Sequence, residues 1–179
     1  MTPTVDNTDR RWLAAYVKMH HEKKVHERLT AQGIQSFVPI QTETRQWSDR
    51  KKKVERVLIS MMVFVYVNPK EQLQVLQTPS VLRYMVLRGE RTPATIPNHQ
   101  MEQFRFMVEH SQGAVSFDAD CMQIGEEVRV AKGPLMGLVG TLVNIKGKSI
   151  IAITIESIGC ATVEMDASLV EMVKKWLYS

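Results

Sequence analysis

A chain of 179 residues, 44% hydrophobic and 23% charged, suffices for one ordinary domain or two small ones and has the make-up of a soluble globular protein. No apolar run approaches the ~20 residues of a membrane span. The polar, acid-bearing start Thr2 to Asp9 has the pattern of neither a signal nor a transit peptide. Cys121 and Cys160, far apart, offer no disulfide framework and no zinc spacing, so the cytoplasm is the expected compartment. The net charge of +4 is unevenly held, with 17 Lys and Arg against 11 Asp and Glu in residues 1–117 and 6 against 8 in residues 118–179. Two modules with different partners are expected, the first near nucleic acid, unless its excess charge serves only solubility.

In chain order, Arg11 to Lys18 reads as a first strand and His20 to Gln32 as a helix, with Val25 and Leu29 four apart and Gly33 placed to end it. Ile34 to Ile40 reads as a second strand. Gln41 to Arg56 is polar and strongly basic and reads as a mobile loop. Val57 to Val67 reads as one long buried strand. Pro69 opens a short helix carrying Leu73 and Leu76, Val81 to Leu87 is another strand, and Thr92 to Ile96 an edge piece. Pro97 opens a third helix with Met101, Phe104 and Val108 on one face. Ser111 to Asp120, rich in Gly, Ser, Asp and Ala, reads as a linker.

Past the linker the pattern turns to short strands. Gly125 to Val130 alternates, Lys132-Gly133-Pro134 turns, Leu138 to Val143 forms a second strand, and Lys146-Gly147-Lys148 turns into Ile150 to Ile155. Glycines at 133, 137, 140 and 147 suit a very small, bent barrel. The chain therefore divides into a polar tail (1–9), an α+β domain with helices on one face of an antiparallel sheet (10–110), a linker (111–120) and a small SH3-like β-barrel (121–179).

The segment around Val130, Lys132, Gly133, Pro134, Gly137 and Gly140 resembles the KOW motif of transcription elongation factors and some ribosomal proteins. With it, Trp12 and Tyr16-Val17, Glu22 with Lys24 and Val25, Phe37-Val38-Pro39, Arg50 to Arg56, Ile158-Gly159 and Ala161 to Glu164 follow in order. Together they resemble the NusG family, with an amino-terminal NGN domain, a linker and a KOW domain. One stretch departs. Where the housekeeping members read Phe-Pro-Gly-Tyr, this chain has Ile59-Ser60-Met61-Met62, which looks more like the UpxY-type paralogues that serve surface-polysaccharide operons.

The resemblance implies a monomeric, cytoplasmic elongation and antitermination factor whose first domain spans the cleft of RNA polymerase, from clamp helices to gate region. It places polymerase contacts at Trp12, Tyr16, Ile59, Met61 and Met62. Thioethers suit an irregular apolar groove, yet alternate residues of any strand are core, and adjacent Met61 and Met62 would face opposite sides. The basic stretch Arg45, Arg50, Lys51, Lys52, Lys53 and Arg56, with Trp47 among it, is placed on non-template DNA or nascent RNA through phosphates and base stacking; a merely solvated face is the rival reading. Ile158, beside Gly159, either offers an edge to a small-subunit ribosomal protein or Rho, or caps the barrel. Two other functions fit the same motifs: a general NusG factor working with Rho in termination, and a KOW-type RNA-binding ribosomal or assembly protein, against which the acidic second module stands.

Nothing points to catalysis, a metal or a cofactor. His20, His21 and His26 do not fall on one helical face with a carboxylate, so a solvated helix start is expected. Gly147-Lys148-Ser149 lacks the earlier glycine of a P-loop, since that position is Leu142. No nucleophile stands beside a base at catalytic spacing.

Overall fold

A computed structural model describes residues 9–120 and 125–173. β1 (Arg11–Val17), α1 (Glu22–Ala31) and β2 (Gln35–Phe37) lead into a hairpin of β3 (Ile40–Gln46) and β4 (Lys51–Val57). β5 (Met62–Val67), α2 (Pro69–Gln77), β6 (Val81–Tyr84) and the two-residue β7 (Thr95–Ile96) follow. After α3 (Asn98–His110) come β8 (Val115–Asp118), β9 (Glu126–Val130), β10 (Val139–Ile145), β11 (Lys148–Ile155), β12 (Gly159–Glu164) and β13 (Val170–Met172). The expected α+β class, built on antiparallel sheets, is what the chain adopts. Two compact units result: Met1–Pro39 with Ile59–Asn98, and Ile40–Leu58 with His99–Ser179.

In the first unit the strand order is β2-β5-β1-β6, with β7 also on β1, and every pairing is antiparallel. Leu13, Ala15 and Val17 share one face with Val63 and Val65, and the helices lie on this side. From α1, His26 Nδ1 lies 2.7 Å from Ser36 Oγ on that face. The Tyr84 hydroxyl donates to the Gln72 carbonyl of α2 at 2.9 Å. Burial pushes that phenol above its ordinary range, so it stays a neutral donor. Two helix ends follow from local residues. Gly33, at φ +75°, takes the left-handed step after α1. α2 starts at Pro69 behind a reciprocal cap, in which the Glu71 N–H donates to Asn68 Oδ1 at 2.9 Å and the Asn68 N–H to Glu71 Oε2 at 3.1 Å.

In the second unit six antiparallel strands run in the order β13-β9-β10-β11-β12-β8. Its core is aliphatic, with Val128, Val130, Ile151, Ile153, Ile155 and Val163 buried. α3 belongs to this unit and is tied to the turn after β11: Gln100 Nε2 donates to the Glu156 carboxylate at 3.1 Å, and the Glu156 N–H donates to Gln100 Oε1 at 2.7 Å.

The structure departs from expectation in four places. The basic stretch is a β-hairpin rather than a loop, in continuous register from Ile40↔Val57 to Gln46↔Lys51. The long strand expected over Val57 to Val67 is broken by a turn at Leu58–Met61, with Met61 at φ +59°. Within the expected linker, Val115–Asp118 is a strand pairing with β12. Cys160, buried on β12, is disulfide-bonded, whereas no disulfide is expected from the sequence; Cys121 lies outside the described residues.

Close approach explains one glycine. At Gly140 a β-carbon would stand 2.6 Å from the Ala152 carbonyl oxygen across the β10–β11 ladder, and backbone there cannot step aside. Gly140→Val should therefore cost about 1–3 kcal/mol or more. Urea unfolding followed by far-ultraviolet circular dichroism checks this, with a lower midpoint expected.

Candidate functional site

The sheet face of the first unit away from α1 and α2 carries Trp12, Ala14 and Tyr16 of β1 opposite Tyr66, Phe64 and Met62 of β5. Trp12 and Tyr66 sit with ring centroids 5.3 Å apart. Tyr16 is half-buried and holds the Arg83 guanidinium over its ring at 4.7 Å, a contact absent from the sequence reading. Of the five residues expected at a polymerase contact, Trp12, Ile59 and Met62 are buried in the chain, and Tyr16 and Met61 are partly accessible.

Met61 owes its exposure to its backbone. Its N–H donates to the buried Glu22 carboxylate at 2.7 Å, and its carbonyl accepts from the Val17 N–H at 2.9 Å. Pinned between β1 and the start of α1 in a left-handed conformation, it leaves the strand alternation, so the premise that Met61 and Met62 occupy opposite faces of one strand does not hold. Glu22, in the first turn of α1, is also well placed against the helix dipole.

The hairpin sorts the basic residues by register. Gln41, Glu43 and Arg45 share a face with their partners Arg56, Val54 and Lys52, while Lys51 and Lys53 share the other with Gln46 and Thr44. The turn runs through Ser48-Asp49, closed by the Trp47 N–H donating to the Arg50 carbonyl at 2.8 Å. Trp47 is 58% exposed beside it, and Arg50, Lys51, Lys52 and Lys53 are exposed. Arg45 lies 3.7 Å from Glu43 with its side chain 59% exposed. Arg56 is different: it is ion-paired to the Glu43 carboxylate and donates through Nη2 to the Val115 carbonyl at 2.8 Å, so it serves the fold. Cations and an aromatic ring thus gather in the outer half of the hairpin.

The expected KOW-motif residues also divide. Val130 is buried, and its carbonyl accepts from the Gly137 N–H at 2.8 Å while its own N–H donates to the Leu138 carbonyl at 2.8 Å. Lys132, Gly133 and Pro134 form the exposed turn between, and Gly133 and Gly137 take positive φ. Ile158, read as an edge or a cap, is buried. Lys146-Gly147 is the turn between β10 and β11, as the sequence implies.

Residues 10–105 match the model of a family described as transcription termination factor NusG. The chain belongs to the NusG family. That places it in a family of transcription factors. A structure of domain interaction in Thermotoga maritima NusG is 20% identical, with 92% of this chain and 98% of that chain covered and a TM-score of 0.48. The MjSpt4:Spt5 complex in conformation A is 13% identical, with 92% and 99% covered and a TM-score of 0.30. No curated protein matches the chain. Among the described residues no helix is long and apolar enough to cross a membrane, and no group of three or more His, Cys, Asp or Glu residues is placed to hold a metal ion.

Glu22 and Gln41 are the residues whose roles sequence reasoning misses, because their partners are backbone atoms 39 and 72 to 74 positions away. The pinning of Met61 is open to test. Glu22→Ala strips the partner from a part-buried N–H and should cost about 1–3 kcal/mol. Glu22→Gln keeps an acceptor oxygen and should cost less. Denaturant titration of both variants checks the order.

Proposed function

We propose that this chain is an operon-specific elongation and antitermination factor that binds RNA polymerase across its cleft through the accessible Tyr16 and Met61 of the first unit, with the hairpin serving the nucleic acid. Membership of the NusG family supports the trade, and the exposed cationic, Trp-bearing outer hairpin is the observation that carries this reading. Four adjacent cations, Arg50 to Lys53, outnumber Asp49 and Glu55 beside them, and Glu43 is engaged by Arg56. Phosphate contacts follow from that charge, and base stacking from the open Trp47 ring. Tyr16 and Met61 supply the accessible apolar edge for the clamp helices. Ile59-Ser60-Met61-Met62, in place of the housekeeping pattern, supports a specialised paralogue of the UpxY type.

A factor that binds only the closed cleft draws polymerase toward its elongating state, and paused states lose population. Each tenfold shift requires about 1.4 kcal/mol of preference. The C-terminal sheet serves as a KOW module that recruits a second partner, a small-subunit ribosomal protein or Rho, in the cytoplasm.

Two experiments check the reading. In single-round transcription over a pause site, the protein should shorten the dwell, and Met61→Asp should weaken this at least fivefold. A carboxylate forced into an apolar groove costs about 1–3 kcal/mol, and Asp tolerates the left-handed backbone at 61. Lys52→Ala should matter far less, since a surface charge contributes about 0–1 kcal/mol. Normal activity of a folded Met61→Asp protein would place the polymerase contact elsewhere. Separately, replacing Arg50, Lys51, Lys52 and Lys53 by Ser should flatten the plot of log affinity against log salt by up to about three units on DNA-containing elongation complexes. Binding to polymerase free of nucleic acid should stay unchanged. An unchanged slope would make the segment a solvated face.

A further inference from the structure

A two-stranded ribbon is at best marginally stable alone in water, and the outer half of this one has little to bury. Lys51, Lys52, Lys53 and Glu55 are exposed along β4, and Thr42, Thr44, Arg45 and Gln46 leave β3 almost wholly polar. Its order must come from its base. There the Gln41 side chain, 8% exposed, donates from Nε2 to the Gly113 carbonyl at 2.7 Å and accepts at Oε1 from the Val115 N–H at 2.8 Å. Arg56, directly opposite Gln41 in the ladder, adds a bond to the Val115 carbonyl at 2.8 Å and is itself held by Glu43. Val115 pairs with Val163 of β12 on its other side, so these side chains occupy the outer edge of β8. A primary amide has the donor and acceptor of a peptide unit, and Gln41 uses both as an added strand would. The start of the free edge is thereby closed at Gly113 and Val115.

We propose that Gln41, supported by Arg56, is the positioning residue of the nucleic-acid hairpin. It locks the base of the ribbon to β8, so that the cationic tip is carried as part of the C-terminal sheet. The seven-residue strands make this a lever of roughly 23 Å at the usual rise per residue. Loosening at the base becomes wide excursion at Trp47 and Arg50. The inference rests on the reading of the tip as a nucleic-acid contact, and its test separates the two.

The test uses the full chain with Gln41→Leu, which keeps bulk and removes both bonds, and with Arg56→Met, which leaves the Gln41 bonds intact should the first variant fail to fold. Amide hydrogen exchange of the free protein is read for residues 42–55, with β1, β5 and β10–β12 as internal controls. Binding to elongation complexes carrying exposed single-stranded DNA is read beside it, against the Arg50, Lys51, Lys52 and Lys53 to Ser variant. Gln41→Leu should speed hairpin exchange at least tenfold while the controls keep their protection. It should weaken binding to the DNA-containing complexes at least threefold and leave binding to polymerase free of nucleic acid unchanged. Arg56→Met should give a smaller rise in hairpin exchange and an unaltered salt slope. Unchanged hairpin exchange in both variants would overturn the lock, as would exchange that rises equally in the controls. Faster hairpin exchange with undiminished DNA binding, when the Ser variant does lose its slope, would overturn the positioning role. If the Ser variant keeps its slope, the nucleic-acid reading falls, and hydrogen exchange alone decides the lock.

Discussion

A side-chain amide standing in for a peptide unit at the outer edge of β8 connects the parts of the second unit. Gln41 supplies it, and without it the buried Val115 N–H would lose its partner, while the Gly113 carbonyl would keep the Ser111 hydroxyl at 2.9 Å. The same two bonds fix the base of a ribbon that has too little apolar surface to order itself. The Arg56–Glu43 pair closes the remaining gap, which removes one cation and one acid from any external role. The chemistry available at the tip is therefore decided partly by what the base consumes.

The first unit handles its surfaces differently. α1 and α2 take the aliphatic face of the sheet, with Val17, Val63 and Val65 beneath them, and the aromatic residues gather on the other. That division follows from strict alternation along β1 and β5: Leu13, Ala15 and Val17 against Trp12, Ala14 and Tyr16. The turn at Leu58–Met61 interrupts the alternation, and Glu22 stabilises the interruption by accepting the Met61 N–H. A flexible thioether is thus carried on a backbone bonded on both sides. On the neighbouring strand, Arg83 lies over the Tyr16 ring.

Much of the architecture is legible along the chain. Gly33, Pro69 and Pro97 punctuate the helices, the apolar spacing of Met101, Phe104 and Val108 marks α3, and the Lys146-Gly147 turn separates two β-branched runs. Ordered motifs point to the NusG family, which the match over residues 10–105 shows. Each of these signals is local: a residue that starts or stops an element, or a period created by burial on one face.

The sequence by itself determined the α+β class, the order of nearly all elements and the placement of cations near Trp47. Tertiary structure alone decided that Gln41 to Arg56 is a hairpin, because a ribbon polar on both faces carries no alternation to read. It decided that Val115–Asp118 is a strand, since four residues in a Gly- and Ser-bearing stretch acquire that state only by pairing with β12. It also separated Trp12, Ile59 and Met62, which are buried, from Tyr16 and Met61, which stay partly accessible. Local sequence records what a residue can do. Whether its backbone bonds, its face and its charge remain free depends on partners tens of residues away, and only the folded chain brings those together.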